Sequence, residues 1–176
     1  MRRKTNKLIG LIYLFLLLIV GGSKSIAQPE NSSIFVELGG HAGLWSLNYD
    51  ASIFQLNRNT YLQTRIGLGL FSDFKNDEYA DVFCPIIISA LVGKDEHFVE
   101  VGVGQTISNY SHRDWNNENG FGRTTEILTN LNLAYRFQSL QSRFLLRLAY
   151  TPFIILDSQK PFQHWFGLSM GLQLSN

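Results

Sequence analysis

The stretch Phe98-Val99-Glu100-Val101-Gly102-Val103-Gly104-Gln105 decides the fold that this sequence predicts. Successive side chains of an extended strand point to opposite faces. The three valines therefore share one face with Gln105, and Phe98, Glu100 and the two glycines share the other. A branched apolar face opposite a small or charged face does not suit the core of an ordinary soluble protein. It suits a barrel wall in a membrane, with lipid outside and a tight polar lumen inside.

The same alternation recurs along the chain and gives about eight strand candidates. They cover 34–39, 44–50, 61–71, 82–92, 98–105, 126–137, 143–151 and 165–174. The polar parity switches from odd to even across Gly39–Gly43, which predicts two strands and a glycine hairpin, with one long bulged strand as the alternative. No segment shows a sustained 3.6-residue period. The sequence thus predicts an all-β protein, a closed antiparallel up-and-down β-barrel of about eight strands.

The predicted connections alternate between short turns and longer loops. Turns are predicted at 56–59, 93–96 and 139–142, and loops at 72–81, 108–122 and 154–163. Bacterial outer-membrane barrels show this asymmetry, with short periplasmic turns and long outer loops. An even number of strands brings both termini to one side, so we expect both in the periplasm.

Residues 1–27 read as a cleavable signal peptide. Four basic residues precede an apolar run, Leu8 to Val20, which is shorter than the ~20 residues of a membrane-spanning helix. Small residues in Ser25-Ile26-Ala27 predict cleavage after Ala27, and an uncleaved anchor helix is the alternative. The β-barrel domain is then predicted over 28–176.

Composition limits the classes of function. Aromatic residues make up 13% of the 176 residues and charged residues 16%, against roughly 25% charged in an average soluble domain. Removing the five basic residues of the signal peptide from fifteen leaves ten against fourteen acids, a net charge of about −4, so no nucleic-acid partner is expected. The single cysteine, Cys84, excludes an internal disulfide and is expected to be a small apolar wall residue.

Eight charged residues fall on the inward faces of the predicted strands. They are Glu37, Asp50, Arg65, Glu100, Glu126, Arg136, Arg143 and Arg147. Buried charges need partners, and the two signs are equally represented. We therefore expect a mutually paired network that fills the lumen and is structural. A ligand-binding or gating site is the alternative.

No pattern indicates a catalytic, cofactor-binding or metal-binding site. The histidines at 41, 97, 112 and 164 lack metal-ligand spacing, and no Gly-x-Ser-x-Gly elbow occurs. Ser111-His112-Arg113-Asp114 places a hydroxyl, an imidazole and a carboxylate in a predicted outer loop. Catalytic triads are spatial rather than sequential, so a lipid-modifying enzyme at the barrel rim is only an alternative.

A series of short motifs resembles a family of small outer-membrane β-barrel proteins from Bacteroidota-type Gram-negative bacteria. The motifs are Val36-Glu37-Leu38-Gly39-Gly40, Trp45-Ser46-Leu47-Asn48-Tyr49, Arg65-Ile66-Gly67-Leu68-Gly69, Val99-Glu100-Val101-Gly102-Val103-Gly104, Leu133-Ala134-Tyr135-Arg136, Leu146-Arg147-Leu148-Ala149-Tyr150-Thr151-Pro152 and Trp165-Phe166-Gly167-Leu168-Ser169-Met170-Gly171. The resemblance implies a barrel in the outer membrane that contacts outer-membrane lipid and uses the barrel-assembly machinery during insertion. It implies no particular activity.

These observations together favour a structural or surface-interaction role, with no specific protein or ligand partner indicated. The alternative from another class is a soluble secreted or periplasmic barrel that holds a small apolar ligand, as a lipocalin does. The two differ in face polarity, because a soluble barrel puts its apolar face inside and its charges outside.

Overall fold

The structure is a computed structural model, and it describes residues 32–71, 80–113, 121–154 and 162–174. Its strands are β1 (Ser32–Gly39), β2 (Trp45–Asn57), β3 (Thr60–Phe71), β4 (Asp81–Lys94), β5 (His97–Arg113), β6 (Phe121–Gln138), β7 (Phe144–Tyr150), β8 (Phe153–Ile154), β9 (Phe162–Gln163) and β10 (Phe166–Leu174). A short 3-10 turn, Gly40–Ala42, joins β1 to β2. The predicted signal peptide over 1–27, with its cleavage after Ala27, lies outside the described residues.

The ten strands occupy eight strand positions around a closed barrel, and we call each position one of its eight walls. Long strands pair antiparallel with their neighbours in sequence, and β1 pairs with β10 to close the sheet. The Thr151-Pro152 break divides one wall into β7 and β8, and residues 164–165 divide another into β9 and β10. This confirms the predicted fold class, and it confirms two strands with a tight glycine turn at 39–43. No helix of the described segments is long and apolar enough to cross a bilayer.

The pairing register advances by ten residues in one circuit of the barrel. The circuit passes through Ser139, Phe144, Leu172, Ile34, Tyr49, Ile66, Ile86, Gln105 and Thr129. It begins at residue 139 and returns to the same wall at residue 129. A closed sheet with such a stagger has strands tilted by about 40° to the barrel axis.

The barrel has two distinct ends. The terminal end carries the start of β1, the end of β10 and the turns at 58–59, 95–96 and 139–143. The loop end carries the Gly40–Ala42 turn, the ends of β3, β5 and β8 and the starts of β4, β6 and β9.

The side chains alternate between a lipid-like outer face and a polar inner face, as predicted. On β5 the valines at 99, 101 and 103 are exposed, whereas Glu100 is fully buried inside. Pro85 also points inward, where the β3–β4 pairing is interrupted between Ile66/Ile86 and Gly69/Phe83. A residue without an N–H is tolerated at this gap because no ladder hydrogen bond is required. Cys84 is half-buried in the wall of β4.

Strands β5 and β6 extend further towards the loop end than the sequence predicts. Residues 108–113 and 121–122 were expected in a loop, and that prediction is wrong, because they pair in register from Ser108↔Glu126 to Arg113↔Phe121. Beyond Ile107 on β5 and Ile127 on β6, the outward side chains that the structure describes are polar, and cross-strand hydrogen bonds replace apolar contacts. One such bond runs from Asn109 Nδ2 to Thr125 Oγ1 at 2.7 Å.

Candidate functional site: the buried charge network

Among the described residues, six charged side chains are buried, and all six lie inside the barrel. They are Glu37, Asp50, Arg65, Glu100, Arg136 and Arg147. Each comes from an inward position of β1, β2, β3, β5, β6 or β7, so the network ties six of the eight walls together. Three positive and three negative charges leave no net formal charge in the lumen. All six were predicted from the sequence, and we call them the lumen network.

The lumen network is a linear chain of alternating charges. At the terminal end, Arg136 Nη1 lies 2.8 Å from Asp50 Oδ2, which is also 3.5 Å from Arg65 Nη2. Arg65 Nη2 lies 2.8 Å from Glu100 Oε1. Each ion between the two ends of the lumen network has an oppositely charged neighbour on either side. These neighbours offset part of the desolvation cost of the ion.

The second half of the lumen network continues towards the loop end. Arg147 Nε donates to Glu100 Oε2 at 3.0 Å, and Arg147 Nη1 donates to Glu37 Oε1 at 2.7 Å. Arg147 therefore bridges two carboxylates with two different nitrogens. A guanidinium group presents donors in a fixed planar fork, which suits this bridging role better than the point charge of a lysine.

Neutral polar side chains satisfy other atoms of the lumen network. Glu100 Oε1 accepts hydrogen bonds from Asn132 Nδ2 at 2.7 Å and from Ser89 Oγ at 3.2 Å. Arg136 donates to Gln63 Oε1 at 3.2 Å, and Ser33 donates to the Asp50 carboxylate. These contacts lower the cost of holding the charges out of water.

Arg65 makes an additional contact with an aromatic ring. Its guanidinium carbon lies 4.9 Å from the centroid of the Phe35 ring, within the range of a cation–π interaction. Phe35 is itself buried, at 2% exposure, so the contact is shielded from solvent. The face of the ring thus complements a guanidinium group whose Nε and Nη1 have no hydrogen-bond partner among the described residues.

The turn between β1 and β2 folds inward and covers the lumen network at the loop end. Gly40, His41 and Ala42 are all buried. The His41 carbonyl accepts a hydrogen bond from Thr106 Oγ1 at 2.8 Å, and Thr106 belongs to β5 on the opposite wall. The His41 amide donates to Glu37 Oε2 at 3.3 Å, and the imidazole lies 3.6 Å from the same atom.

Glycines allow this inward fold. Gly39 and Gly40 have φ of 73° and 70°, values that side chains with a Cβ adopt only under strain. A Cβ on Gly40 would also overlap the Glu37 carboxyl group. The sequence identified this turn as a hairpin, but it gave no sign that the turn enters the lumen.

Two predicted members of the lumen network do not belong to it. Arg143 is exposed in the turn before β7, where its φ of 57° takes it out of the strand alternation. Glu126 has the inward parity of β6, but it lies beyond the filled part of the barrel and is exposed beside Tyr110. Parity alone gives the face of a residue, whereas its burial depends on where the barrel core ends.

Sequence reasoning missed His41 and the neutral polar partners. His41 lies in a turn and has no strand parity, so the pattern offered no signal for it. Asn132, Ser89 and Gln63 could have been found, because each occupies an inward position at the level of a predicted charge.

The remaining chemical candidates form no site in the described part of the chain. No group of three or more His, Cys, Asp or Glu side chains in the described segments is placed to hold a metal ion. Ser111 lies on β5, where its amide donates to Asp81 Oδ1 at 2.7 Å. The side chains of His112 and Arg113, and all of Asp114, lie outside the described residues, so the rim-enzyme alternative stays a prediction.

Comparison with known proteins supports the fold. The sequence matches no protein-family model and no curated protein. Among solved structures, the N-terminal β-barrel domain of Pseudomonas aeruginosa OprF is similar with a TM-score of 0.53 at 14% identity, over 84% of this chain and 100% of that one. Ail, the attachment invasion locus protein of Yersinia pestis, gives a TM-score of 0.47 at 10% identity over the same shares. The likeness to the OprF domain shows that the two chains share the closed barrel fold.

Proposed function

We propose that this protein is a small outer-membrane β-barrel with a closed lumen and a structural or surface-interaction role. The observation that carries the proposal is its inverted polarity. The outer face is a predominantly apolar wall, whereas six ions are buried inside. A water-soluble barrel would expose the ions and bury the apolar side chains.

The height of the apolar wall supports a membrane environment. On β5 the outward apolar residues run from Val99 to Ile107, eight residues apart. At about 3.4 Å per residue and a tilt of about 40°, this distance is roughly 21 Å along the barrel axis. Outer-membrane barrels carry an apolar band of about 25 Å between two aromatic girdles.

The lumen network argues against the lipocalin-like alternative. A soluble barrel that holds an apolar ligand needs an apolar interior with open volume. Here the middle of the barrel contains three arginines and three carboxylates in direct contact, and Gly40–Ala42 covers them at the loop end. These contacts favour a filled lumen that stabilises the wall.

We propose that the terminal end faces the periplasm and the loop end faces outward. The short turns at 58–59 and 95–96 lie at the terminal end, as outer-membrane barrels require on the periplasmic side. An epitope added after the last residue should resist protease in intact cells and be cleaved after the outer membrane is opened. Cleavage in intact cells would reverse the assignment.

Gel mobility after membrane fractionation tests the location and the closure together. We expect the protein in the outer-membrane fraction, with a faster band in unboiled detergent samples than in boiled ones, because a closed barrel stays compact until it is heated. Recovery in the soluble fraction without detergent would contradict the proposal and return the lipocalin-like alternative.

A further inference from the structure

Two tyrosine–histidine pairs on the outside of the barrel have nearly the same geometry. Tyr135 Oη lies 2.6 Å from His97 Nδ1, and Tyr150 Oη lies 2.6 Å from His164 Nδ1. The rings of the first pair stack at 6.1 Å and 25°, and those of the second at 6.0 Å and 19°. The lumen network uses neither pair.

The two pairs lie at opposite ends of the apolar wall. His97 is the first residue of β5, at the terminal end, and Tyr150 is the last residue of β7, at the loop end. Each pair also contacts a phenylalanine: Phe137 lies 5.6 Å from His97, and Phe166 lies 5.2 Å from Tyr150. Both imidazoles are therefore joined to the outer wall through aromatic rings, at the levels where a membrane meets water.

The hydrogen bond in each pair determines what the imidazole can offer. When the tyrosine hydroxyl donates to Nδ1, the proton of a neutral imidazole lies on Nε2. No acceptor in the described part of the chain lies within hydrogen-bond distance of Nε2 in His97 or His164, and both residues are exposed. In that tautomer, each ring presents an N–H donor at the outer edge of the wall.

A lysine reinforces the donor at the terminal end. Lys94 lies directly opposite His97 in the β4–β5 pairing, and both face outward and are exposed. Directly opposed residues of an antiparallel pair have Cβ atoms about 5 Å apart. An ammonium group and an imidazole N–H at this spacing complement an anion with several acceptor oxygens, such as a phosphate diester.

We propose that the His97–Tyr135 and Tyr150–His164 pairs bind phosphate groups of membrane lipids and so fix the height of the barrel in the bilayer. The inference rests on the proposed outer-membrane location. Lipid phosphate is favoured over free phosphate because an apolar ring adjoins each pair, Phe137 beside His97 and Phe166 beside Tyr150. The acyl chains of a lipid can cover these rings and the apolar wall while its headgroup contacts the donor, whereas free phosphate gains no such apolar contact.

Solid-state NMR on protein without an affinity tag, labelled with ¹⁵N at histidine, tests the inference directly. The protein is reconstituted in vesicles of phosphatidylcholine and phosphatidylglycerol in phosphate-free buffer, and dephasing of the imidazole ¹⁵N signals by lipid ³¹P is measured. The imidazole signals of His97 and His164 are assigned by their absence in H97Q and in H164Q. We expect lipid ³¹P to dephase both of these signals. The double variant should show no dephased imidazole signal. His41, buried in the lumen, serves as the internal control without dephasing. Y135F and Y150F should each reduce dephasing at their own histidine, because the ring loses the partner that orients it.

The outcomes separate this inference from the proposed function. Unboiled samples that run faster than boiled ones, combined with no dephasing at His97 or His164, would overturn the inference and leave the membrane barrel standing. Failure to insert into the vesicles would overturn both. Dephasing in dodecyl maltoside micelles with added inorganic phosphate, equal to that in vesicles, would assign the site to free phosphate and overturn the lipid source.

Discussion

Arg147 is the residue on which the lumen network depends most. It bridges Glu37 and Glu100 and is completely buried. Removing one partner of a buried ion pair leaves an uncompensated charge, which costs far more than the net stabilisation of the intact pair. The network is therefore sensitive to single deletions even though its own net contribution to stability is modest.

Replacing Arg147 with alanine should lower the free energy of unfolding by about 3–5 kcal/mol, because two buried carboxylates lose a partner. Urea unfolding in lipid vesicles, followed by tryptophan fluorescence, measures the change. Arg143→Ala is the matched control, since that arginine is exposed in the turn before β7. It should shift stability by no more than about 0.5 kcal/mol. Equal effects of the two substitutions would contradict the network.

The carboxylates allow a second comparison that preserves side-chain size. Glu100→Gln removes the charge that Arg65 and Arg147 share, so we expect a loss of about 3 kcal/mol in the same unfolding assay. Glu126→Gln removes a carboxylate that has the same inward parity and is exposed. It should leave the unfolding midpoint unchanged. A larger effect at position 126 than at position 100 would show that burial was assigned wrongly.

At the scale of elements, the turn between β1 and β2 both closes a hairpin and covers the lumen. Gly39, Gly40 and Gly43 have positive φ, but they differ in the space that is available for a Cβ atom. Gly40 lies against the Glu37 carboxyl group, whereas a Cβ on Gly43 would meet nothing within 4 Å. Substitutions at these two positions therefore distinguish the strain of a positive φ from steric overlap with the Glu37 carboxyl group.

Gly40→Ala and Gly43→Ala should share the strain of a positive φ, about 1 kcal/mol each. Only Gly40→Ala should also displace the turn from the lumen, so its midpoint of heat unfolding, read from the gel shift, should fall further. Native-state hydrogen exchange at the His41 amide should rise in that variant alone, because its bond to Glu37 is broken. Equal exchange in both variants would contradict the inward fold.

At the scale of the whole molecule, the filling of the lumen determines whether the barrel conducts ions. An eight-stranded barrel leaves a lumen that side chains can fill. Here the lumen network links six walls, and the Gly40–Ala42 turn spans from β1 to Thr106 on the opposite side.

Reconstituted protein should therefore produce no steady single-channel conductance in a planar bilayer. Bilayers that receive the same amount of detergent alone provide the baseline. Steady, reproducible current steps would show that the lumen is open and would favour the gating alternative.

The sequence alone was sufficient to predict the closed antiparallel barrel, its outward and inward faces and six members of the lumen network. The physical reason is that strand parity is a local property: Glu37, Glu100 and Arg147 each have apolar neighbours on both sides in the chain, so the sequence directly indicates which face they occupy. The same pattern also identified the glycine turn, because a switch of parity requires a break between two strands.

Only the tertiary structure decided which inward residues are buried and which partner each ion has. Glu126 follows the alternation of its neighbours in β6 but is exposed, and Arg143 leaves the alternation at a positive φ in the turn before β7. The local pattern of apolar and polar residues records neither outcome. Pairings such as Arg136 with Asp50, 86 residues apart, depend on the stagger of a closed sheet. The inward fold of His41 likewise depends on Thr106 across the lumen, which becomes its neighbour only when the barrel closes.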